Sequence, residues 1–149
     1  MAFKNITPDQ AAAALEGGVG AVYIDVRSVE EFQAGHPPGA LNIPITSRDR
    51  WGQTVLNPEF LPVVETLFSK DAPLLVGCHT GPRSEAACKL LAQAGFTDLS
   101  NVLGGFAGAY SPFGGLTQAG WVELGLPIDT DDGGDVSWEA IRRRALGSP

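Results

Sequence analysis

The sequence has few cysteines, no long apolar segment and a shortage of positive charge. Its 149 residues include two cysteines, too few for a disulfide framework or a four-thiolate zinc site. No apolar run approaches the roughly 18 residues of a membrane-spanning helix, and no secretory signal is recognisable at the N-terminus. Ten Lys and Arg against 17 Asp and Glu give a net charge of −7. This charge disfavours nucleic acid and anionic membrane surfaces as partners.

The residues that are present are typical of one folded domain. Hydrophobic residues make up 44% of the chain and charged residues 18%, a balance that distinguishes globular from disordered sequences. A chain of 149 residues is also long enough to bury a core of its own. We therefore expect a single cytoplasmic domain whose thiols are reduced.

Short β-type runs alternate with helical segments along the chain. Thr7 with Gln10, and Ser28 with Glu31, have the spacing of capping boxes that begin helices. Further helix caps are predicted at Ser84 and Ser137. The alternation predicts an α/β fold with a mostly parallel sheet.

Three other segments have less regular patterns. Residues 46–56 are predicted to form a polar loop, in which Arg48, Arg50 and Trp51 either reach the site or remain solvated. Residues 107–115 are rich in glycine and aromatics, and their role is left open. A helix is predicted over residues 117–124.

A cysteine stands at the end of an apolar strand. Cys78 closes the run 73–78, and the predicted helix starts six residues later, at Ser84. Ligands of open α/β sheets bind at this edge, and curled backbone N–H groups, a helix N-terminus and Arg83 all favour a thiolate. Such a thiolate can attack an electrophilic sulfur and hold the resulting persulfide. A structural cysteine without chemistry is the alternative.

Two separated segments resemble the rhodanese (sulfurtransferase) family. The first comprises residues 25–27, 31–32, 35–40 and 42–44, and the second comprises 78–84, 104–105 and 125–127. Together they span about residues 5–128, as in a single-domain member. The resemblance implies a central five-stranded, mostly parallel sheet flanked by helices. The rhodanese-like domain is then expected over 1–128, followed at 129–149 by an acidic, glycine-containing linker and a short C-terminal helix.

The resemblance also implies an activity and a site. The protein would be a sulfurtransferase that moves a sulfane sulfur, through a Cys78 persulfide, from a small anionic donor such as thiosulfate to a thiol, cyanide or a protein acceptor. No metal or organic cofactor is expected. Cys78 would be catalytic, and the substrate would be bound by the loop after it, which consists of His79, Thr80, Gly81, Pro82, Arg83 and Ser84.

Two other functions stay open at this point. Cysteine-dependent phosphatases and arsenate reductases of related fold have one more residue between cysteine and arginine than the four found here, His79 to Pro82. A phosphatase would also need a general acid, for which the sequence offers no clear position. A non-catalytic rhodanese-like binding module is the other alternative, and the presence of Cys78 speaks against it.

The remaining polar residues have structural interpretations. Asp25, Arg27 and Glu31 are predicted to form one network that fixes a strand-to-helix turn, and His36 is predicted to be structural. Cys88 lies among Ala and Leu residues. We therefore expect it to fill the core rather than to form a disulfide with Cys78.

Overall fold

A computed structural model describes residues 3–18, 20–79, 82–130 and 133–147. The helices are α1 (Pro8–Glu16), α2 (Val29–Ala34), α3 (Phe60–Leu67), α4 (Pro82–Gln93) and α5 (Trp138–Leu146). The strands are β1 (Lys4–Ile6), β2 (Val22–Asp25), β3 (Leu41–Asn42), β4 (Thr46–Arg48), β5 (Thr54–Leu56), β6 (Leu74–Gly77), β7 (Leu99–Val102), β8 (Ala109–Tyr110) and β9 (Leu116–Gln118). Over these ranges, every helix is too short or too polar to cross a bilayer.

The central sheet has five strands in the order β1-β7-β6-β2-β3. All of its pairings are parallel, and β6 occupies the middle position, with Val76 opposite Ile24 on one side and Asn101 on the other. The predicted α/β class and the five-stranded parallel sheet are thus confirmed. Because the strands are parallel, the residues that follow them emerge at a common edge.

Helices cover both faces of this sheet. Successive strand residues point to opposite faces, so Leu74 and Val76 of β6 join one buried cluster while Leu75 joins the other. The first cluster includes residues of α3, α4 and α5, and the second includes residues of α1 and α2 together with Trp121. Burial on both faces explains why β6 is apolar throughout.

The predicted helix starts at α1, α2 and α5 are confirmed. Gln10 Oε1 accepts from the Thr7 N–H at 2.9 Å, and Ser28 and Glu31 form the reciprocal capping box. The Ser137 hydroxyl accepts from the Ala140 N–H at 3.3 Å. These bonds satisfy N–H groups that a helix leaves without partners in its first turn.

Three local predictions are wrong. Ser84 does not cap α4, because the helix already begins at Pro82, whose fixed φ suits a first helical position. Residues 46–56 form the antiparallel β4–β5 hairpin rather than an irregular loop. The segment predicted as a helix over 117–124 contributes β9, which pairs with β8, and the Thr117 hydroxyl donates to the Ala109 carbonyl at 3.1 Å.

The C-terminal segment packs on the main body of the chain. His36 and Asp129 form an isolated antiparallel bridge, and Ile141 of α5 is fully buried in the first cluster. Arg142 of α5 donates to Glu59 at 2.7 Å. The domain boundary at residue 128 remains a prediction.

A buried ion pair fixes the turn after β2. The Arg27 guanidinium donates to both oxygens of Asp25, at 2.7 to 3.2 Å, and to the Gly35 carbonyl at 2.6 Å. It also lies 4.3 Å from the centre of the Phe106 ring. Both charged side chains are 3% exposed or less, so each depends on the other for compensation of its charge.

Replacing Arg27 by Met should therefore destabilise the protein strongly. The substitution leaves the Asp25 carboxylate buried without its cation, which costs about 3–5 kcal/mol. Urea denaturation measures this loss. Lys4→Met is the control, because its pair with Asp98 is exposed and is worth about 1 kcal/mol or less. Similar losses in the two variants would contradict this interpretation.

A second ion pair joins α2 to α4 and should make stability depend on pH. Hydrogen bonds from Arg83 lower the pKa of Glu31 from 4.5 to about 2. A lowered native pKa adds stability that is present above the unfolded pKa and is lost as the pH falls through the native one. Glu31→Gln should thus lose less stability than the unchanged protein between about pH 5 and pH 2. Unfolding free energies across this range test the difference.

The matched control for that experiment is Glu65→Gln. Glu65 forms an exposed pair with Lys70, and exposed pairs contribute little. The pH dependence of this variant should follow that of the unchanged protein. An equal change of slope in both variants would show that the Glu31–Arg83 pair has no special part in acid sensitivity.

Candidate active site

Cys78 directly follows the central strand of the sheet. Its carbonyl accepts from the Phe106 N–H at 2.7 Å, and the next carbonyl, that of His79, accepts from the Ala107 N–H at 2.8 Å. This close approach requires glycine at position 105, where φ is +55° and an added Cβ would collide with the Cys78 carbonyl. The chain after β7 thus holds the backbone on which the cysteine stands.

The Cys78 side chain is buried. It is 1% exposed and belongs to the larger apolar cluster, with its Sγ donating to the Ser84 hydroxyl oxygen at 3.5 Å. The sulfur is therefore almost completely shielded from solvent. The sulfur is nevertheless in contact with a polar group, unlike a cysteine that only fills space.

Polar side chains continue away from the sulfur across two neighbouring strands. Ser84 in the first turn of α4 donates to Asn101 Oδ1 of β7 at 2.5 Å, and Asn101 Nδ2 donates to Asn5 Oδ1 of β1 at 3.0 Å. Neither asparagine was predicted from the sequence, where the signal for Asn101 is the polar pair Ser100 and Asn101 inside an otherwise apolar strand.

The other residues of the predicted substrate loop differ in their surroundings. His79 is exposed, Pro82 is exposed at the start of α4, and Arg83 is partly buried. Thr80 and Gly81 lie outside the described residues. Of the residues predicted to bind the substrate, Arg83 and Ser84 therefore lie in the first turn of α4.

Arg83 is engaged by a carboxylate from the other side of the site. Its two terminal nitrogens donate to the two oxygens of Glu31, at 2.7 and 2.9 Å. The hydrogen bond to Glu31 raises the pKa of Arg83, and the nearby Cys78 adds a smaller effect in the same direction. The network predicted for Asp25, Arg27 and Glu31 is therefore wrong for Glu31, which pairs with Arg83 instead.

The second cysteine lies inside the helix layer. Cys88 is 0% exposed on α4, and burial raises the pKa of its thiol to about 12. A thiol with this pKa is almost entirely protonated near neutral pH, so it is a poor nucleophile. The expected burial of Cys88 is confirmed.

Cavities lie on both sides of the start of α4. The larger, of about 680 Å³, opens between α2, the β4–β5 hairpin and α5, and its wall includes Arg48, Arg83, Glu31, Asn57 and Trp138. The smaller, of about 310 Å³, is lined by Pro82, Glu85, Asn101, Leu103, Gly104, Ala109 and Gln118. Cys78 lines neither cavity. Arg48 thus reaches the neighbourhood of the site, while Trp51 stays 76% exposed.

Comparison with known proteins agrees with this architecture. The family model described as "Rhodanese-like domain" matches residues 7–111. Thiosulfate sulfurtransferase 16, chloroplastic, from Arabidopsis thaliana is 37% identical over 105 residues, which cover 70% of this chain and 77% of that protein. Thiosulfate sulfurtransferase GlpE from Haemophilus influenzae (strain PittEE) is 31% identical over 130 residues, 87% of this chain and 98% of that protein.

Other similarities vary in extent. The chain spans about half the length, 51% to 56%, of three further plant relatives, of which one from Arabidopsis thaliana is named Protein HIGH ARSENIC CONTENT 1, mitochondrial. Among solved structures, that of Rv0390 from M. tuberculosis superposes with a TM-score of 0.67 at 28% identity, covering 85% of this chain and 97% of the other. The parallel sheet, the strand-to-helix cysteine and these similarities lead to one conclusion: the chain belongs to the rhodanese-like domain family, whose members among its relatives include proteins named thiosulfate sulfurtransferases.

Proposed function

We propose that this protein is a thiosulfate sulfurtransferase that carries sulfur as a persulfide on Cys78. The Cys78 thiolate attacks the outer sulfur of thiosulfate, the sulfur–sulfur bond of the donor breaks, and sulfite leaves with the electron pair. An acceptor thiolate or cyanide then attacks the terminal sulfur of the persulfide. The Cys78 thiolate is regenerated, so no net oxidant or reductant is consumed.

The observation that carries the proposal is the position of Cys78 between the central strand and the first turn of α4. A helix N-terminus has a partial positive charge, which favours an anionic sulfur nearby. Arg83 adds a cation, and its interaction with Cys78 contributes to the raised pKa of Arg83. The Ser84 hydroxyl contacts the sulfur directly. These groups can stabilise negative charge on the thiolate and on the leaving sulfite.

The larger cavity is the route by which we propose that an anionic donor approaches. Arg48 and Arg83 are both in its wall, and arginine side chains bind oxyanions through paired N–H groups. Glu31 holds the Arg83 guanidinium in a fixed orientation. The donor must reach a sulfur that is 1% exposed. The accessibility of the Cys78 sulfur in solution is therefore measured together with the activity. A reducing compartment such as the cytoplasm would keep the thiol available between cycles.

A phosphatase or arsenate reductase is less well supported. The loop is one residue shorter than the loop of those enzymes, as the sequence shows between Cys78 and Arg83. A binding module without catalysis would not require a thiol at position 78.

Intact mass spectrometry after thiosulfate treatment tests the proposal. We expect the protein to gain the mass of one sulfur atom, which cyanide then removes with formation of thiocyanate. Iodoacetamide labelling of the native protein, mapped by peptide, measures in parallel whether the Cys78 sulfur becomes accessible. An unmodified Cys78 together with phosphate-ester or arsenate turnover would overturn the proposal in favour of the alternative enzyme class. No modification and no turnover would favour a binding module.

Cys78→Ser should abolish sulfur transfer, whereas Cys88→Ser should retain most of it. Serine lacks the sulfur that carries the persulfide, while Cys88 is a buried and protonated core residue. Thiocyanate formation from thiosulfate and cyanide measures both variants. Comparable losses, at equal folded fraction by circular dichroism, would contradict the assignment of Cys78.

Arg83→Ala should lower kcat/KM for thiosulfate by about tenfold or more, because it removes a cation that bonds the anionic donor. Arg142→Ala is the matched control, since Arg142 also pairs with a glutamate, Glu59, and with similar exposure. Steady-state kinetics with thiosulfate measure both variants. An unchanged kcat/KM in Arg83→Ala would show that this cation has no part in donor use.

A further inference from the structure

Three hydrogen bonds between described residues run in one direction, away from the sulfur. The Cys78 thiol donates to the Ser84 oxygen, the Ser84 hydroxyl donates to Asn101 Oδ1, and Asn101 Nδ2 donates to Asn5 Oδ1. A serine hydroxyl has one proton, and here that proton is directed to Asn101 at 2.5 Å. This direction is the one that suits a protonated thiol.

An anionic sulfur needs the opposite direction. A thiolate has no proton to donate, and it gains most from a hydroxyl that donates to it. If the Ser84 proton turns to the sulfur, its oxygen must accept from Asn101. Asn101 then has to present Nδ2 in place of Oδ1, which a half-turn of the amide achieves, since the two ends of an amide differ only in being donor or acceptor.

Asn5 can follow that change. It is exposed on the edge strand β1, so its amide can turn at little cost and donate to the Asn101 oxygen. All three hydrogen bonds would then be directed toward Cys78 without any backbone movement. Both arrangements keep these three hydrogen bonds among Cys78, Ser84, Asn101 and Asn5, and they differ in the charge on sulfur that they favour.

We propose that Asn101, oriented by Asn5, is a positioning residue that decides whether the Ser84 hydroxyl donates to the Cys78 sulfur or accepts from it. The inference rests on the proposed function, because attack on thiosulfate needs the thiolate, whereas the thiol and the thiolate need opposite directions of the Ser84 hydroxyl. Asn101 touches neither donor nor acceptor in this role. It acts through Ser84.

The other titratable groups near the Cys78 sulfur are the same in the unchanged protein and in variants of Asn101 and Asn5. Arg83 and Cys88 approach from α4, and Tyr23 approaches from β2, each with an electrostatic interaction with Cys78. His79 is adjacent in the chain and exposed. Strand β7 presents no ionisable side chain between Leu99 and Val102. Variants of Asn101 and Asn5 leave all of these groups in place.

The test replaces each amide by a group that can only accept. In Asn5→Asp, the new carboxylate can only accept, so Asn101 must donate to it through Nδ2. Asn101 Oδ1 then faces Ser84 and accepts the Ser84 proton, which keeps that proton away from the sulfur. Asn101→Asp has the same effect directly. We expect both to raise the pH midpoint of Cys78 ionisation, read from the ultraviolet absorbance of the thiolate, by roughly one pH unit for Asn101→Asp and by less for Asn5→Asp. Cys88 does not interfere, because its thiol has a pKa of about 12.

Two controls distinguish the effect of hydrogen-bond direction from electrostatic repulsion between the introduced carboxylate and the thiolate. In a Ser84→Ala background the hydroxyl is gone, so the shift caused by Asn101→Asp should shrink to its electrostatic part. The shift caused by Asn5→Asp should persist at high salt, where repulsion from an exposed charge is screened. Asn101→Ala releases the Ser84 proton and should not raise the midpoint.

Equal shifts with and without Ser84, or no shift in Asn5→Asp, would overturn the proposal. Should Asn101→Asp not fold, the exposed Asn5→Asp variant still decides. The outcome is independent of the proposed function, since thiolate formation is measured without thiosulfate. A shifted midpoint in a protein that never gains sulfur would refute the activity and leave the role of Asn101 intact.

Discussion

The parallel pairing of β6 between β2 and β7 is the constraint on which the site depends. It makes three strands end at one edge, so that Cys78, the Asp25–Arg27 turn and Asn101 lie within one neighbourhood. The backbone after β7 then bonds the Cys78 and His79 carbonyls. Without that pairing, a cysteine, a serine and two asparagines far apart in the chain would have no reason to meet.

Charge at the site is balanced by pairs that differ in burial. Asp25 and Arg27 are almost fully buried and fix a turn, whereas Glu31 and Arg83 are about one-third exposed and border the larger cavity. Only the second pair is in contact with solvent and with a space that a ligand can enter. The Asp25–Arg27 pair therefore stabilises the fold, whereas the Glu31–Arg83 pair can hold a cation where an anion can approach.

Much of the local structure could be predicted, and the failures have specific causes. The capping boxes at Thr7 and Ser28 need only four consecutive residues, so they were recognisable in the sequence. The partner of Glu31 is a group that is distant in the chain, the Arg83 guanidinium. No local pattern encodes such contacts. The same holds for Asn101, whose importance comes from α4 lying beside β7.

The sequence by itself determined the fold class and singled out Cys78, because hydrophobic periodicity, helix caps and a polar loop after an apolar strand are properties of neighbouring residues. Only the tertiary structure decided that Arg83 bonds Glu31, that the Cys78 sulfur is 1% exposed, and that Ser84 connects it to Asn101 and Asn5. Burial and hydrogen-bond direction depend on side chains that converge from separate strands and helices. They are fixed only when the sheet has brought those elements together.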